Sequence, residues 1–144
     1  MDRPIPIPGI ELGTTAAGIK RASRDDLVVI GMAAGANCAA VFTNNAFAAG
    51  PVVVARDHIE QAETRLLLIN SGNANAGMGA QGISDARECC NLLASRAEVS
   101  PCAVLPFSTG VIGERLPMRF SKQALRQPMT ILEPTTGRLL PRQS

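Results

Sequence analysis

The residues Pro106-Phe107-Ser108-Thr109-Gly110-Val111-Ile112-Gly113 follow the apolar run Ala103-Val104-Leu105. A strand that empties into a turn of small, hydroxyl-bearing and glycine residues presents backbone N–H groups to an anion. Such a turn can hold the oxyanion of an acyl-transfer intermediate, or a phosphate. Ser-Thr-Gly alone is only a turn signal, so its meaning depends on the segments around it.

The stretch from Asn70 to Gly82, Asn-Ser-Gly-Asn-Ala-Asn-Ala-Gly-Met-Gly-Ala-Gln-Gly, is the second unusual feature. Gly77-x-Gly79-x-x-Gly82 has the spacing of a dinucleotide fingerprint, so a dinucleotide-binding module is one reading. That fingerprint needs its first glycine in a tight turn directly after a strand, and an acidic residue about 20 positions on. Gly77 instead lies seven residues beyond Asn70, and Glu98 is the nearest acidic candidate. No Gly-Lys-Ser/Thr occurs, which excludes a Walker A loop. Asn70, Asn73 and Asn75 sit among Gly and Ala, where amides can order neighbouring loops or meet a ligand. The plainer reading is an Asx-rich turn that bridges strand and helix. His58, the single histidine, reads as a surface or half-buried residue before a catalytic one, and Thr43-Asn44-Asn45 reads as a turn.

Composition narrows the field. A chain of 144 residues makes one ordinary domain with a core of its own. Hydrophobic residues are 46% and charged residues 18%, a globular balance. Four Phe, with no Trp or Tyr, leave too few rings for stacking on single-stranded nucleic acid. The net charge of +2 is unevenly spread. Residues 1–118 carry nine Lys and Arg against eleven Asp and Glu, whereas residues 119–144 carry five basic residues against Glu133 alone. The body is mildly acidic, which argues against a phosphate-backbone partner.

Cys89 and Cys90 are adjacent, with Cys38 and Cys102 far from them, and no C-x-x-C spacing exists. Neighbours on a helix point about 100° apart, so the expectation is buried free thiols and no metal. The start Met1-Asp2-Arg3-Pro4 lacks the apolar stretch of a signal peptide, and no run approaches a membrane span. The expected protein is soluble and cytoplasmic, with no nucleic-acid or membrane partner.

The positioning elements come next. Pro4-Ile5-Pro6-Ile7-Pro8 reads as an extended lead-in. Leu27–Ile30 and Cys38–Thr43 read as two strands of a hairpin or meander, joined across Gly31 and Gly35. Pro51–Val54 suits either a strand or the start of a buried helix. Arg65–Asn70 is a buried strand by its continuous apolar run. Ile83 to about Ala97 is the clearest helix, with Ile83, Ala86, Cys90, Leu93 and Ala97 on one face and Ser84 or Asp85 as its cap. Cys102–Pro106 is the next strand. Strand, loop, helix, strand makes an α/β or α+β architecture. From Arg119 onward the chain is basic, has Pro128, Pro134 and Pro141, and shows no sustained period. It reads as poorly ordered or foreign.

Taken together, the segments resemble one family, the ornithine acetyltransferases, or bifunctional glutamate N-acetyltransferases, of arginine biosynthesis. The matching pieces are Gly9–Gly13 with Ala17–Lys20, Val41–Asn45 with Ala48–Val52, Asn70–Ala76 with Gly82, and Leu105–Gly113 running into Leu116-Pro117-Met118. Their order and spacing are specific over residues 7–118, where the likeness stops. This divides the chain into an N-terminal part of such a domain, 1–118, and a non-matching basic tail, 119–144.

The resemblance implies a layered helix–sheet sandwich, incomplete here, and a self-cleaving precursor that needs no cofactor. Cleavage frees an internal Thr as the first residue of a second chain and as the nucleophile. That Thr takes acetyl from N-acetylornithine and passes it to glutamate by a ping-pong route; in bifunctional members acetyl-CoA is also a donor. The family's Thr-Gly oxyanion pair falls on Thr109 and Gly110. No counterpart of the Ala-Thr processing site is present, since Thr135-Thr136 follows Pro134 in the tail. The expectation is therefore a truncated or frame-shifted product, or one chain of a split, hetero-oligomeric enzyme. Such a chain carries the oxyanion hole without the nucleophile and is inactive alone. A non-catalytic partner subunit is the remaining alternative.

Overall fold

In the computed structural model, residues 7–19, 23–126 and 130–133 are described. Five strands form one sheet: β1 (Ile10–Thr15), β2 (Leu27–Met32), β3 (Leu66–Asn73), β4 (Val104–Val111) and β5 (Thr130–Glu133), in the order β4-β3-β2-β1-β5. The helices are α1 (Gly50–Gln61), α2 (Gly79–Ala97) and α3 (Met118–Arg126), and a 3-10 turn, Pro101–Ala103, leads into β4. Only β3 and β4 pair in parallel among the described strands, with α2 as the crossover between them. The architecture is mixed α/β, as expected.

Leu27-Val28-Val29-Ile30 is a short β-branched run that fits a pleated surface, and β2 lies between β1 and β3. That placement explains one correction. Cys38–Thr43 is not a strand but irregular chain, because both edges of β2 are already taken. The segment is held instead by α1: the Arg56 guanidinium lies 5.4 Å from the centre of the Phe42 ring, and its Nη2 donates to Thr43 O at 2.7 Å. Pro51–Val54 resolves as the first turn of α1, where proline forfeits no helical hydrogen bond.

A second correction concerns α2, which begins at Gly79, four residues before the expected start. Met78 is its N-cap and makes no side-chain capping bond. Neither Ser84 nor Asp85 caps it. Asp85 is buried in the helix and accepts from Gln81 Nε2 at 2.8 Å. The expected face is otherwise correct: Ala86, Cys90 and Leu93 are buried, and Ile83 and Ala97 pack against the core. That core joins Val29, Leu66 and Leu68 of the sheet to Val54 of α1 and Leu93 of α2.

The tail expectation meets a difference at its first residues. α3 starts at Met118, packs against α2 and sends Ala124 and Leu125 into the same core. The helical period there is too short to stand out in a proline-interrupted stretch. β5 then pairs with β1. The remaining tail residues, with Thr135-Thr136, and Met1 to Pro6 of the lead-in lie outside the described residues.

Candidate functional site

The Ser108-Thr109-Gly110 segment is not a turn. β4 continues through it to Val111, in parallel register with β3: Asn70 opposite Ser108 and Gly72 opposite Gly110. The turn chemistry is real, but the strand pairing overrides it, because two glycines face each other. Gly72 has φ +112° and Gly110 φ +132°. A Cβ at Gly110 would stand 2.6 Å from Asn73 N and closer still to the carbonyl carbon of Gly72. Only glycine fits there.

Hydrogen-bond parity tells which backbone groups of β4 are open. Arg65 N donates to Ala103 O and Ala74 N to Val111 O, both at 2.8 Å, so the odd-numbered carbonyls face β3. Alternation directs the groups of Val104, Pro106, Ser108 and Gly110 to the outer edge of the sheet. Two observations agree with this. Pro106, which has no N–H, falls on the outward parity, and Val104 O is taken by the buried His58, whose Nδ1–H donates at 2.8 Å. His58 thus fastens α1 to β4. Thr109 and Gly110 are exposed, and the N–H of Gly110 points out of the sheet.

Beneath this edge the three asparagines form a brace. Ser108 Oγ donates to Asn70 Oδ1 at 2.5 Å, and Asn70 Nδ2 donates to Asn73 O at 2.8 Å. Asn73 takes the N–H of Asn75 on its Oδ1 at 2.7 Å and donates from Nδ2 to Glu114 O at 3.0 Å. Asn75 has φ +47° and donates to Gly82 O at 2.8 Å, while its own carbonyl accepts from Gly50 N at 3.2 Å. All three side chains are buried. Their role is to lock the ends of β3 and β4 to the starts of α1 and α2. A cavity beside Asn70, Asn75 and Ser108 measures about 20 Å³, room for one water.

Of the glycines in the dinucleotide spacing, Gly82 has a packing duty. A Cβ at Gly82 would come within 2.7 Å of Asn75 Oδ1, and one at Gly50 within 2.6 Å of the Gly82 carbonyl. Gly50 and Gly82 let α1 and α2 meet backbone to backbone. Glu98 is the left-handed C-cap of α2, at φ +54°. Nothing in this arrangement favours a dinucleotide.

Two further supports lie outside these motifs. Asp26 accepts from Ala17 N and Ile19 N, each at 2.6 Å, and its carbonyl accepts from Ser71 N at 2.8 Å. The Asp25-Asp26 pair before an apolar run was the available signal. Arg115 reaches Asp85 at 3.4 Å and holds the chain after β4 against α2. The thiols of Cys89 and Cys90 are pushed up to about 12, chiefly by burial, with the Asp85 charge adding to Cys89 and the neighbouring Cys89 adding to Cys90. Among the described residues no cluster of His, Cys, Asp and Glu could hold a metal, and no helix is long and apolar enough to cross a membrane.

Comparison with known proteins gives a consistent picture. The ArgJ family model matches residues 11–138, beyond the limit at residue 118 expected from motifs. An arginine biosynthesis bifunctional protein ArgJ of Methylococcus capsulatus is 57% identical over 120 residues, 83% of this chain and 29% of that protein. Its counterpart in Pseudomonas syringae is 51% identical over 121 residues, 84% of this chain and 30% of that protein. This chain therefore spans less than a third of these curated relatives. Among solved structures, the ArgJ protein of Bacillus halodurans superposes with a TM-score of 0.77 at 35% identity, covering 83% of this chain and 62% of that one. An ornithine acetyltransferase of Mycobacterium tuberculosis, complexed with ornithine, gives 0.75 at 31% identity, covering 81% and 64%.

Proposed function

The chain belongs to the ArgJ family, and from that premise we propose that it is part of an acetyltransferase of arginine biosynthesis in which Thr109 and Gly110 hold the oxyanion. The nucleophile is a Thr at the head of a second chain. Its hydroxyl oxygen attacks the acetyl carbonyl of N-acetylornithine, the carbonyl oxygen takes the negative charge, and collapse breaks the C–N bond as the proton given up by the hydroxyl passes to the departing ornithine amine. The amine of glutamate then attacks the acetyl ester through a second oxyanion of the same kind.

The observation that carries this reading is the exposed Gly110, with its N–H directed out of the sheet on a strand pinned against Gly72. A donor that cannot relax is what an oxyanion site needs, since no reorganisation is then required as charge develops. The relatives lend support. Two are named bifunctional proteins of arginine biosynthesis, and one solved neighbour holds ornithine. The chain covers 62% of the solved Bacillus chain but 29% of the Methylococcus protein. Solved chains so much shorter than the curated proteins fit a precursor cut in two.

The test is acetyl transfer from N-acetylornithine to glutamate. The purified chain alone is expected to give none, and clear turnover would overturn the absence of a nucleophile here. Combined with the Thr-starting chain of a relative, it is expected to turn over. Thr109→Ala should then lower kcat by about 10²–10³; an unchanged kcat removes Thr109 from the oxyanion hole.

A further inference from the structure

We propose that the outer edge of β4 at Pro106–Ser108 is a docking edge, which receives an extended strand from the part of the family polypeptide that lies beyond this chain. The strand ends at Ser108 and leaves the Gly110 N–H unpaired.

Four observations lead there. β4 is the terminal strand of the sheet on its side, and no described strand pairs with its outer edge. From Ala103 to Gly113 the chain carries no charge. A strand edge meant for water is ordinarily guarded by charged residues, a bulge or a covering element. The guard present stops halfway: His58 covers Val104 O, and Pro106 offers no N–H. Beyond it, parity leaves Pro106 O, Ser108 N–H and Ser108 O facing outward beside Phe107, which is 44% exposed. That set of one donor between two acceptors is what a short strand takes up, at a spacing of about 4.8 Å.

The occupant follows from length. The relatives continue well past this segment, and even the solved Bacillus chain is covered only to 62%, so polypeptide to supply the strand exists. A second copy of this chain would have to offer its own β4, whose first half is already capped. The inference draws on the reading above only in leaving Gly110 free.

The experiment uses the full 144-residue chain and, as the probe, the portion of the Methylococcus capsulatus relative that it does not span, made as a separate polypeptide. Amide exchange at Ser108 and Gly110 is followed by NMR in the chain alone and in the mixture. Ser108 is expected to exchange at least 100-fold more slowly on mixing, with Gly110 still fast. Phe107→Lys, which places a charge beside the edge, should weaken association at least tenfold without moving the unfolding temperature. Fast exchange at Ser108 in the mixture, or failure of the two polypeptides to associate, overturns the proposal. So does slow exchange at Ser108 in the unmixed chain, because a second copy or the chain's own tail then fills the edge. Slow exchange at both Ser108 and Gly110 in the mixture supports docking but removes the oxyanion role of Gly110, which separates the two ideas.

Discussion

β4 is two strands in one. From Val104 to Pro106 it is core: all three residues are buried, α1 packs on it, and His58 takes its first outward carbonyl. From Phe107 to Val111 it is surface, with Thr109 and Gly110 exposed and the outward backbone groups bare. The buried half is held by side-chain packing. The bare half has little packing, and is held by backbone contact at Gly72–Gly110 and by the Ser108–Asn70 bond. A strand can thus stay rigid where it is bare, provided that its neighbour supplies the rigidity.

The sharpest way to break this contrast is Gly110→Ala. The added methyl meets the Gly72 backbone at a φ that alanine resists, and the expected loss is about 3 kcal/mol in urea unfolding. Near-native stability in that variant means that the bare half is not pinned as described. Next comes His58→Ala, which strips the buried half of its link to α1 and orphans Val104 O. About 2 kcal/mol should go, with Thr109 and Gly110 amide shifts barely altered. A large movement of those shifts would show that the halves are coupled.

Ser108→Ala removes one bond between β4 and Asn70 and should cost about 1 kcal/mol. A double-mutant cycle with Asn70→Ala is expected to return a coupling of similar size, and a coupling near zero sinks the brace. The mildest probe is alkali. Cys89 and Cys90 ionise near 12 in the fold against 9.0 for the free thiol. Their folded pKa is raised, so the unfolded chain loses protons first. Their contribution is complete below pH 9 and is lost as pH rises toward about 12. Stability measured from pH 8 to 11 should fall, and Cys89→Ser together with Cys90→Ser should flatten the slope.

These features differ in how far the sequence discloses them. Arg65–Asn70, the face of α2 and the start of β4 are legible because apolar runs and helical spacing are local signals. Thr109 and Gly110 are candidates for a site through a likeness of ordered motifs, whereas their conformation is not legible. Gly72 and Gly110 each look like turn glycines, and only the parallel pairing brings them together. The first turn of α2 is hidden for a related reason. Glycine at Gly79 and Gly82 weakens the helix signal, yet contact with Gly50 and Asn75 makes a small residue obligatory at Gly82. Cys38–Thr43 has β-rich composition, but both edges of the preceding strand β2 are taken. Asn70, Asn73 and Asn75 announce a special loop, and only the structure shows that their amide nitrogens are spent on backbone carbonyls.

The parallel pairing of β3 with β4 also bears on the order of assembly. Asn70 and Ser108 meet across 38 positions of chain, with all of α2 between them. The β1–β2 ladder closes a shorter loop, and long-range pairing is slow because loop closure precedes its reward. The strand that carries Thr109 and Gly110 therefore finds its partner later than β1 finds β2. Until α2 has formed, an uncharged segment from Ala103 to Gly113 stays open to wrong neighbours. The same blank stretch that suits a docking edge makes the nascent chain dependent on rapid crossover, and lowering the temperature or the protein concentration should raise its refolding yield.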